Sequence, residues 1–266
     1  MARTLPPPAP SVRGILRALD RQRWRASGAR LFDDFLTVLE LRLGTMPETE
    51  DPRGAHARLV ARYGDLTVFD DASTAFAGAI GQGPGDYLGE TYMQLGANNT
   101  GYAQFFTPWP LCVMMAELQA TADLVHTRLR AAIAAEPLAA SALLAGQLLT
   151  GDAALGWFLM HIIPAAIASY DRVTVYDPAC GSGAMLLAAA STVPWWMVHM
   201  GLVTFLGQDI DGTCVQMARI QLRCIGANGA GVAGALAWAD AQLTAPLETP
   251  IPVAPLTVAA VLEAVV

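Results

Sequence analysis

Three aspartates, Asp177, Asp209 and Asp240, each follow a short apolar run that is typical of a strand. The carboxyl ends of parallel strands meet at one edge of a sheet, where open α/β folds bind their ligands, so we expect the three carboxylates to lie together. Such a group attracts positive charge and accepts hydrogen bonds from hydroxyl and amino groups. Each acid taken alone is equally consistent with a strand-end cap or a solvated turn. Their coincidence at one edge favours a ligand site.

A glycine-rich turn follows the first of these acids. Residues 177–183 read Asp-Pro-Ala-Cys-Gly-Ser-Gly, and the apolar run that follows predicts a helix directly after the turn. Glycine lets a ligand lie against bare backbone at a helix N-terminus. The third glycine of G-x-G-x-x-G is absent, and Asp177 would repel a pyrophosphate. A ligand with an ammonium and a sulfonium suits the site better. Such a ligand is S-adenosylmethionine, with Asp209 on its ribose hydroxyls and Asp240 on its adenine amine.

The elements that must position this turn alternate along the second half of the chain. Strands are predicted at residues 173–176, 203–207 and 235–239, helices at 184–191 and 213–224, and a long helical region at 111–169. This order predicts an α/β fold with a parallel sheet covered on both faces. Residues 185–206 carry no charge over a length that spans a bilayer. Because Thr192, Pro194 and His199 interrupt them, we interpret them as a helix, a turn and a second buried strand, and expect no membrane association.

The first part of the chain differs in composition. Residues 1–11 form a proline-rich tail, and residues 12–85 are predicted to form an N-terminal helical region. Residues 86–266 are assigned to the ligand-binding domain, with a helical insertion around 120–168. Six arginines in the helical region form either a phosphate-facing patch or, more commonly, a solvated helix face: Arg13, Arg17, Arg21, Arg23, Arg25 and Arg30.

Composition limits the possible functions. The chain has 266 residues, of which 54% are hydrophobic, so most of it is expected to fold. Its net charge of −7 argues against strong binding of nucleic acid by this chain alone. The four cysteines show neither C-x-x-C pairs nor metal-ligand spacing with the histidines, so no metal site is expected. The first ten residues lack the apolar core of a signal peptide, which predicts a cytoplasmic protein with reduced thiols.

Four segments together resemble a known family. Residues 177–183 resemble the cofactor motif of adenine-N6 DNA methyltransferases, especially the modification subunits of type I restriction-modification systems. Residues 103–108, Ala-Gln-Phe-Phe-Thr-Pro, look like the short element that this family places over the methionine end of the cofactor. Residues 207–211 and 239–243 resemble the second and third motifs. With the Phe-Thr-Pro element first, the order is that of the gamma class.

The resemblance implies a Rossmann-like, parallel-sheet methyltransferase fold that uses S-adenosylmethionine and acts on DNA. By this resemblance Phe106 packs on the methionine portion, and Thr107 and Pro108 shape its pocket. The remaining cofactor-binding residues are Asp177, Ala179, Gly181, Gly183, Asp209 and Asp240. Cys180 lies inside the turn but is not expected to act as a nucleophile, because transfer of a methyl group from a sulfonium needs none on the enzyme.

The sequence departs from the family in its catalytic motif. The family's Asn, Asp or Ser, followed by Pro-Pro and an aromatic residue, is not found: neither residues 249–252 nor the Val-Pro-Trp-Trp at 193–196 match it. The chain after Asp240 is also short for a complete sheet, which is consistent with a minimal relative of the family, a fragment, or a cofactor-binding subunit whose base pocket comes from elsewhere. No catalytic residue is assigned.

Two hypotheses follow, with a weaker third. The first is an adenine-N6 DNA methyltransferase or its modification subunit, which works on DNA with a specificity subunit in a hetero-oligomer. The second is a non-catalytic, cofactor-binding accessory protein of a restriction-modification system or mobile element. Methylation of a small molecule or a protein on the same fold is the third.

Overall fold

The computed structural model describes residues 10–96 and 106–227, in which helices predominate. The N-terminal helices are α1 (Pro10–Asp20), α2 (Gly28–Leu43), α3 (Pro52–Tyr63), α4 (Asp70–Ile80) and α5 (Tyr87–Gln94), with a 3-10 turn at Thr67–Phe69. The central helices are α6 (Trp109–Leu118), α7 (Thr121–Ala135), α8 (Pro137–Gly146), α9 (Gly151–Trp157) and α10 (Ile163–Ala166), with a π-helical segment at Phe158–Ile162. The last elements are β1 (Val173–Asp177), α11 (Ala184–Ser191), α12 (Trp195–His199), β2 (Val203–Gly207) and α13 (Gly212–Cys224).

The sequence predicted these later elements closely. The strand at 203–207 and the helix at 184–191 have the predicted bounds, and the helix at 213–224 begins one residue earlier, at Gly212. Asp211 accounts for that start, because its side chain accepts a hydrogen bond from the backbone N–H of Thr213. The uncharged run at 185–206 forms a helix, a second short helix and a strand, as interpreted.

The two strands form one parallel sheet within the described residues. Val173 N donates to Leu202 O near the start of both strands, and Gln208 N donates to Asp177 O at their ends. The pairing therefore advances in the same direction along both strands. The predicted third strand and Asp240 lie outside the described residues. What is described is a partial α/β arrangement rather than a full Rossmann-like sheet.

The prediction that these strands are buried was wrong in part. In β1 only Val173 is buried, and Tyr176 is 56% exposed. In β2, Val203 and Phe205 are buried, whereas Leu206 is 49% exposed. β-branched and apolar composition favours a strand, but burial depends on which elements cover each face, and composition does not specify them.

The chain divides into two compact units. The first contains Met1–Val113, Tyr176–Ala188 and Gly207–Ile225, and the second contains Met114–Val175, Ala189–Leu206 and Gly226–Val266. The predicted domain boundary near residue 86 stays a prediction.

The first unit has a core rich in aromatic residues. Phe32, Phe35 and Phe69 are fully buried, and the Phe32 ring also lies 5.3 Å from that of Tyr92. Helix α13 contributes Cys214, Met217 and Ile220 to the same cluster. Since this helix follows the second strand, the core of the N-terminal helices includes a helix that comes more than 100 residues later in the chain.

In the second unit, α7, α8 and α10 pack on one another, and α9 packs on the π-helical segment, all within the predicted helical region. Phe158 packs edge-on against Trp196 with ring centres 5.4 Å apart, and Tyr170 donates to Leu202 O at 2.8 Å. Within the described residues, no single helix has the length and apolar composition to cross a membrane. The segments Trp109–Ala135, which contains α6 and α7, and Pro137–Gly146, which is α8, meet that criterion only as a pair, which is bent by 101°.

Candidate cofactor-binding site

The glycine turn between β1 and α11 is held by the side chain of Asp177 and by the residue that follows β2. Asp177 Oδ1 accepts a hydrogen bond from Ala179 N at 3.0 Å, and Cys180 N donates to Gln208 O at 2.9 Å. Gly181 and Gly183 have φ values of 53° and 89°, in the left-handed region that favours glycine. The turn therefore has a defined conformation that other residues would strain.

The two strand-end acids lie at the same edge, as predicted. Asp209 Oδ2 accepts a hydrogen bond from Gly181 N at 2.8 Å, and its Oδ1 accepts one from Asp211 N at 2.9 Å. Its carboxylate thus joins the glycine turn to the loop after β2. Asp177 and Asp209 both line one cavity of about 250 Å³.

Most of the predicted cofactor residues that the structure describes line this cavity. They are Phe106, Thr107, Asp177, Ala179, Gly181 and Asp209. Pro108 and Gly183 fall outside the described lining: Gly183 is buried, and a Cβ placed on it would lie 3.0 Å from the Cβ of Ala218 in α13. Gly183 therefore allows close packing of the turn on a helix, whereas Gly181 faces the cavity.

Phe106 lies across the turn. A Cβ placed on Gly181 would meet two carbon atoms of the Phe106 ring at 3.1 Å. The same ring packs on Tyr92 with centres 6.0 Å apart. Phe106 thus contacts the core of the first unit and also lines the cavity. The same side chain can therefore pack in the core and contact a ligand in the cavity.

Sequence reasoning missed a polar network beneath the turn. Asp86, the N-cap of α5, accepts hydrogen bonds from Ser182 Oγ at 2.6 Å, Gln221 Nε2 at 3.0 Å and Gly89 N at 3.1 Å. Burial raises the pKa of the Asp86 carboxyl, and these hydrogen bonds act in the opposite direction. Ser182 and Gln221 are themselves fully buried. The sequence could have indicated Asp86 as a helix N-cap, because an aspartate is common at that position. It gives no indication that Ser182 and Gln221 donate hydrogen bonds to this side chain.

A second buried polar group fixes α13. Glu40 in α2 is fully buried, and its Oε1 accepts from Arg219 Nε at 2.9 Å while its Oε2 accepts from Gln216 Nε2 at 2.6 Å. A buried carboxylate needs such partners, because desolvation otherwise disfavours its charge. This ion pair holds α13, whose N-terminal end follows Asp209, against α2.

The thiol in the turn is not activated. Burial, followed by the carboxylates of Asp209 and Asp177, raises the pKa of Cys180 to about 11. A thiol with this pKa is protonated at neutral pH and is a weak nucleophile. That Cys180 is not a catalytic nucleophile stays a prediction. Among the described residues, no cluster of three or more His, Cys, Asp or Glu is arranged to hold a metal ion.

The arginines predicted to form a helix face make intramolecular contacts. Arg23 pairs with Asp20 at 2.8 Å, Arg30 with Asp34 at 3.5 Å, and Arg21 with Asp71. Arg25 donates to Tyr63 O at 2.8 Å. The solvated-face interpretation fits these exposed and half-exposed pairs better than a free phosphate-binding patch.

Comparison with known families identifies part of the chain. Residues 139–249 match the family model of N-6 DNA methylase. Over that segment, which is less than half of its 266 residues, the chain is similar to this family. The matched segment contains both strands, the glycine turn and Asp209, whereas Phe106 and Thr107 precede it. No match was found among curated proteins or among solved structures.

The matched segment and the cavity lining share the residues of the glycine turn apart from Pro178 and Gly183, together with Ala184, Met185, Asp209 and Cys214. The resemblance to type I modification subunits rests on the sequence motifs alone.

Proposed function

We propose that this chain binds S-adenosylmethionine in the cavity beside the glycine turn and serves adenine-N6 methylation of DNA. The observation that carries the proposal is the charge of the cavity. Asp177 and Asp209 line it, and no arginine or histidine is among the described lining residues. Two carboxylates without a cation favour a ligand with ammonium and sulfonium charges and disfavour a pyrophosphate.

The other lining residues fit the same ligand. Gly181 presents backbone without a side chain, and the Phe106 ring offers an apolar surface beside it. Ala184 and Met185, at the start of α11, also line the cavity. The partial positive charge at a helix N-terminus suits the carboxylate of the methionine portion. When bound, S-adenosylmethionine supplies an activated methyl group on its sulfonium.

Asp209 is prepared for ribose hydroxyls by the bonds that it already makes. Each of its oxygens accepts one backbone hydrogen bond, and each carboxylate oxygen retains a second acceptor site. The side chain is therefore held in place before a ligand arrives, which reduces the entropy lost on binding.

We propose that the residues that hold the target adenine of DNA, as distinct from the adenine of the cofactor, come from a partner subunit. The sequence contains no Asn-, Asp- or Ser-Pro-Pro-aromatic segment to accept hydrogen bonds from the target amine. Because the chain has a net charge of −7, we propose that another chain supplies most of the positive charge that binds the DNA phosphates. This proposal is the modification-subunit hypothesis: the chain contributes the cofactor half of a hetero-oligomeric methyltransferase in the cytoplasm.

Titration calorimetry with S-adenosylmethionine, followed by transfer of tritiated methyl groups to unmethylated DNA, tests the proposal. The transfer assay is run on the chain alone and on the complex purified with its native partners. Binding by the chain, with transfer to adenine N6 by the complex, supports the proposal. Absence of binding overturns it. Binding without transfer in any native complex supports the non-catalytic accessory protein instead.

A further inference from the structure

Helix α5 contacts the glycine turn through its N-cap and the ring beside that turn through its last turn. At the N-cap, Asp86 Oδ2 accepts a hydrogen bond from Ser182 Oγ at 2.6 Å. Near the other end, the Tyr92 ring packs on Phe106, which in turn lies against Gly181. One helix of 8 residues thus reaches both the turn and the aromatic ring that flanks the cavity.

Gly89 is required for this approach. A Cβ placed on Gly89 would lie 2.2 Å from Asp86 Oδ2 and 2.4 Å from Ser182 Oγ. Both atoms belong to short side chains that are hydrogen-bonded to each other, so neither can move without breaking that bond. A glycine inside a helix lowers its stability. At position 89 the absence of a side chain is what allows α5 to contact the turn.

Gln221 completes the link. Its Nε2 donates to Asp86 Oδ1 at 3.0 Å and to the backbone oxygen of Ser182 at 2.9 Å, while its Oε1 accepts from Leu88 N at 2.9 Å. Every polar atom of this buried amide therefore contacts either α5 or the turn. Networks satisfied to this degree fix one geometry, because a partly broken one leaves buried polar groups unpaired.

We infer that Asp86, Gly89 and Tyr92 form a clamp on α5 that positions the glycine turn against Phe106, with Asp86 as its positioning residue. The clamp holds the turn whether or not a ligand is present. That the ligand held this way is S-adenosylmethionine rests on the proposed function. In that case the clamp affects cofactor affinity although Asp86, Gly89 and Tyr92 are not among the residues that line the cavity.

Hydrogen exchange of the full-length chain without ligand tests the positioning directly. Asp86→Ala and Gly89→Ala are expected to speed exchange of the Gly181 and Gly183 amides by roughly 5- to 100-fold, since loss of a buried partner destabilises the turn to that degree. Asp51→Ala is the matched control for the first, because Asp51 caps α3 through Arg53 N at 3.0 Å. Gly78→Ala is the control for the second, because nothing lies within 4 Å of a Cβ placed there in α4.

Gly89→Ala separates positioning from general stability. Alanine favours a helix over glycine, so the substitution does not weaken α5 through propensity. Unchanged exchange at 181–183 in both Asp86→Ala and Gly89→Ala overturns the clamp, as does equal acceleration in the two controls. Faster exchange at the turn alone supports it.

Calorimetry on the same variants relates the clamp to the proposed ligand. Dissociation constants for S-adenosylmethionine that rise roughly 5- to 100-fold in Asp86→Ala and Gly89→Ala, but not in the controls, support the clamp as a determinant of cofactor affinity. If the unsubstituted chain does not bind S-adenosylmethionine while the turn is loosened in the variants, the proposed function fails and the clamp stands. Affinity that is unchanged despite a loosened turn overturns its role in binding.

Discussion

The backbone N–H of Gly181 donates a 2.8 Å hydrogen bond to Asp209 Oδ2, which joins the glycine turn to the acid that follows the neighbouring strand. Asp209 is therefore both a support of the turn and the predicted ribose ligand. Its two functions cannot be separated by removing the side chain, but both predict weaker binding of the cofactor.

Asp209→Ala is expected to weaken binding of S-adenosylmethionine by about 1–3 kcal/mol, because the variant loses hydrogen bonds to a charged acceptor. This corresponds to a roughly 5- to 150-fold larger dissociation constant in titration calorimetry. Asp65→Ala serves as the control, since Asp65 is exposed and accepts hydrogen bonds from the backbone N–H of Thr67, at 2.8 Å, and from the Thr67 hydroxyl. Equal affinities of Asp209→Ala and the unsubstituted chain would rule out the ribose assignment.

Gly181→Ala is expected to abolish or strongly weaken cofactor binding. The added Cβ meets the Phe106 ring at 3.1 Å, and φ is 53°. The backbone strain alone costs roughly 1–2 kcal/mol of folding stability. Gly44→Ala imposes similar strain at a φ of 62°, with nothing within 4 Å of the new Cβ.

The comparison of the two glycine variants isolates the effect of the cavity. Thermal unfolding is expected to report a similar loss for both, whereas calorimetry reports lost affinity only for Gly181→Ala. A folded Gly181→Ala variant with full affinity would show that the turn does not contact the ligand.

Arg219→Met is expected to destabilise the chain by about 3 kcal/mol, because it leaves the carboxylate of Glu40 buried without its cation. Arg42→Met, which removes a half-exposed pair with Asp70, is expected to cost less than about 1 kcal/mol. Urea unfolding followed by circular dichroism measures both. Equal losses in the two variants would contradict a special role for the buried pair.

Folding stability is expected to fall as the pH rises from about 9 towards 11. Burial raises the pKa of Cys112, Cys180 and Cys224 to about 11 and that of Cys214 to about 12, from 9.0 for a free thiol. The unfolded chain releases these protons first, so the stabilisation is complete below pH 9 and is lost as the pH approaches the folded values.

Urea midpoints at pH 7, 9 and 10.5 measure this loss, and the Cys180→Ala variant should show a shallower decline. Identical slopes in the variant and the unsubstituted chain would show that this thiol is not responsible.

Local sequence patterns predicted the strands, the helices and the turn, because these features are determined by residues that are close in the chain. The strand at 203–207, the helix at 184–191 and the meeting of Asp177 with Asp209 follow from apolar runs, a glycine turn and the geometry of parallel strands. The contacts of Asp86 with Ser182 and Gln221 join residues 96 and 135 positions apart. No local pattern encodes such pairing, so the clamp appears only in the folded chain.

The exposed face of the strands could not be predicted for the same reason. Thr174 and Tyr176 have the composition of a buried strand, but their exposure is decided by which elements cover them. Gly183 was predicted to contact the ligand. In the structure, the absence of a side chain at Gly183 lets Ala218 of α13 pack closely on the turn.

The first unit is built from three separate stretches of chain, and its core includes Met217 and Ile220 of α13. During synthesis, the N-terminal helices leave the ribosome long before the residues that seal their apolar surface. Glu40 in α2 acquires Arg219 only after 179 positions of chain have been made. Until then, that apolar surface lacks the residues that cover it and Glu40 lacks its cation, and transiently exposed apolar surface of this kind favours aggregation.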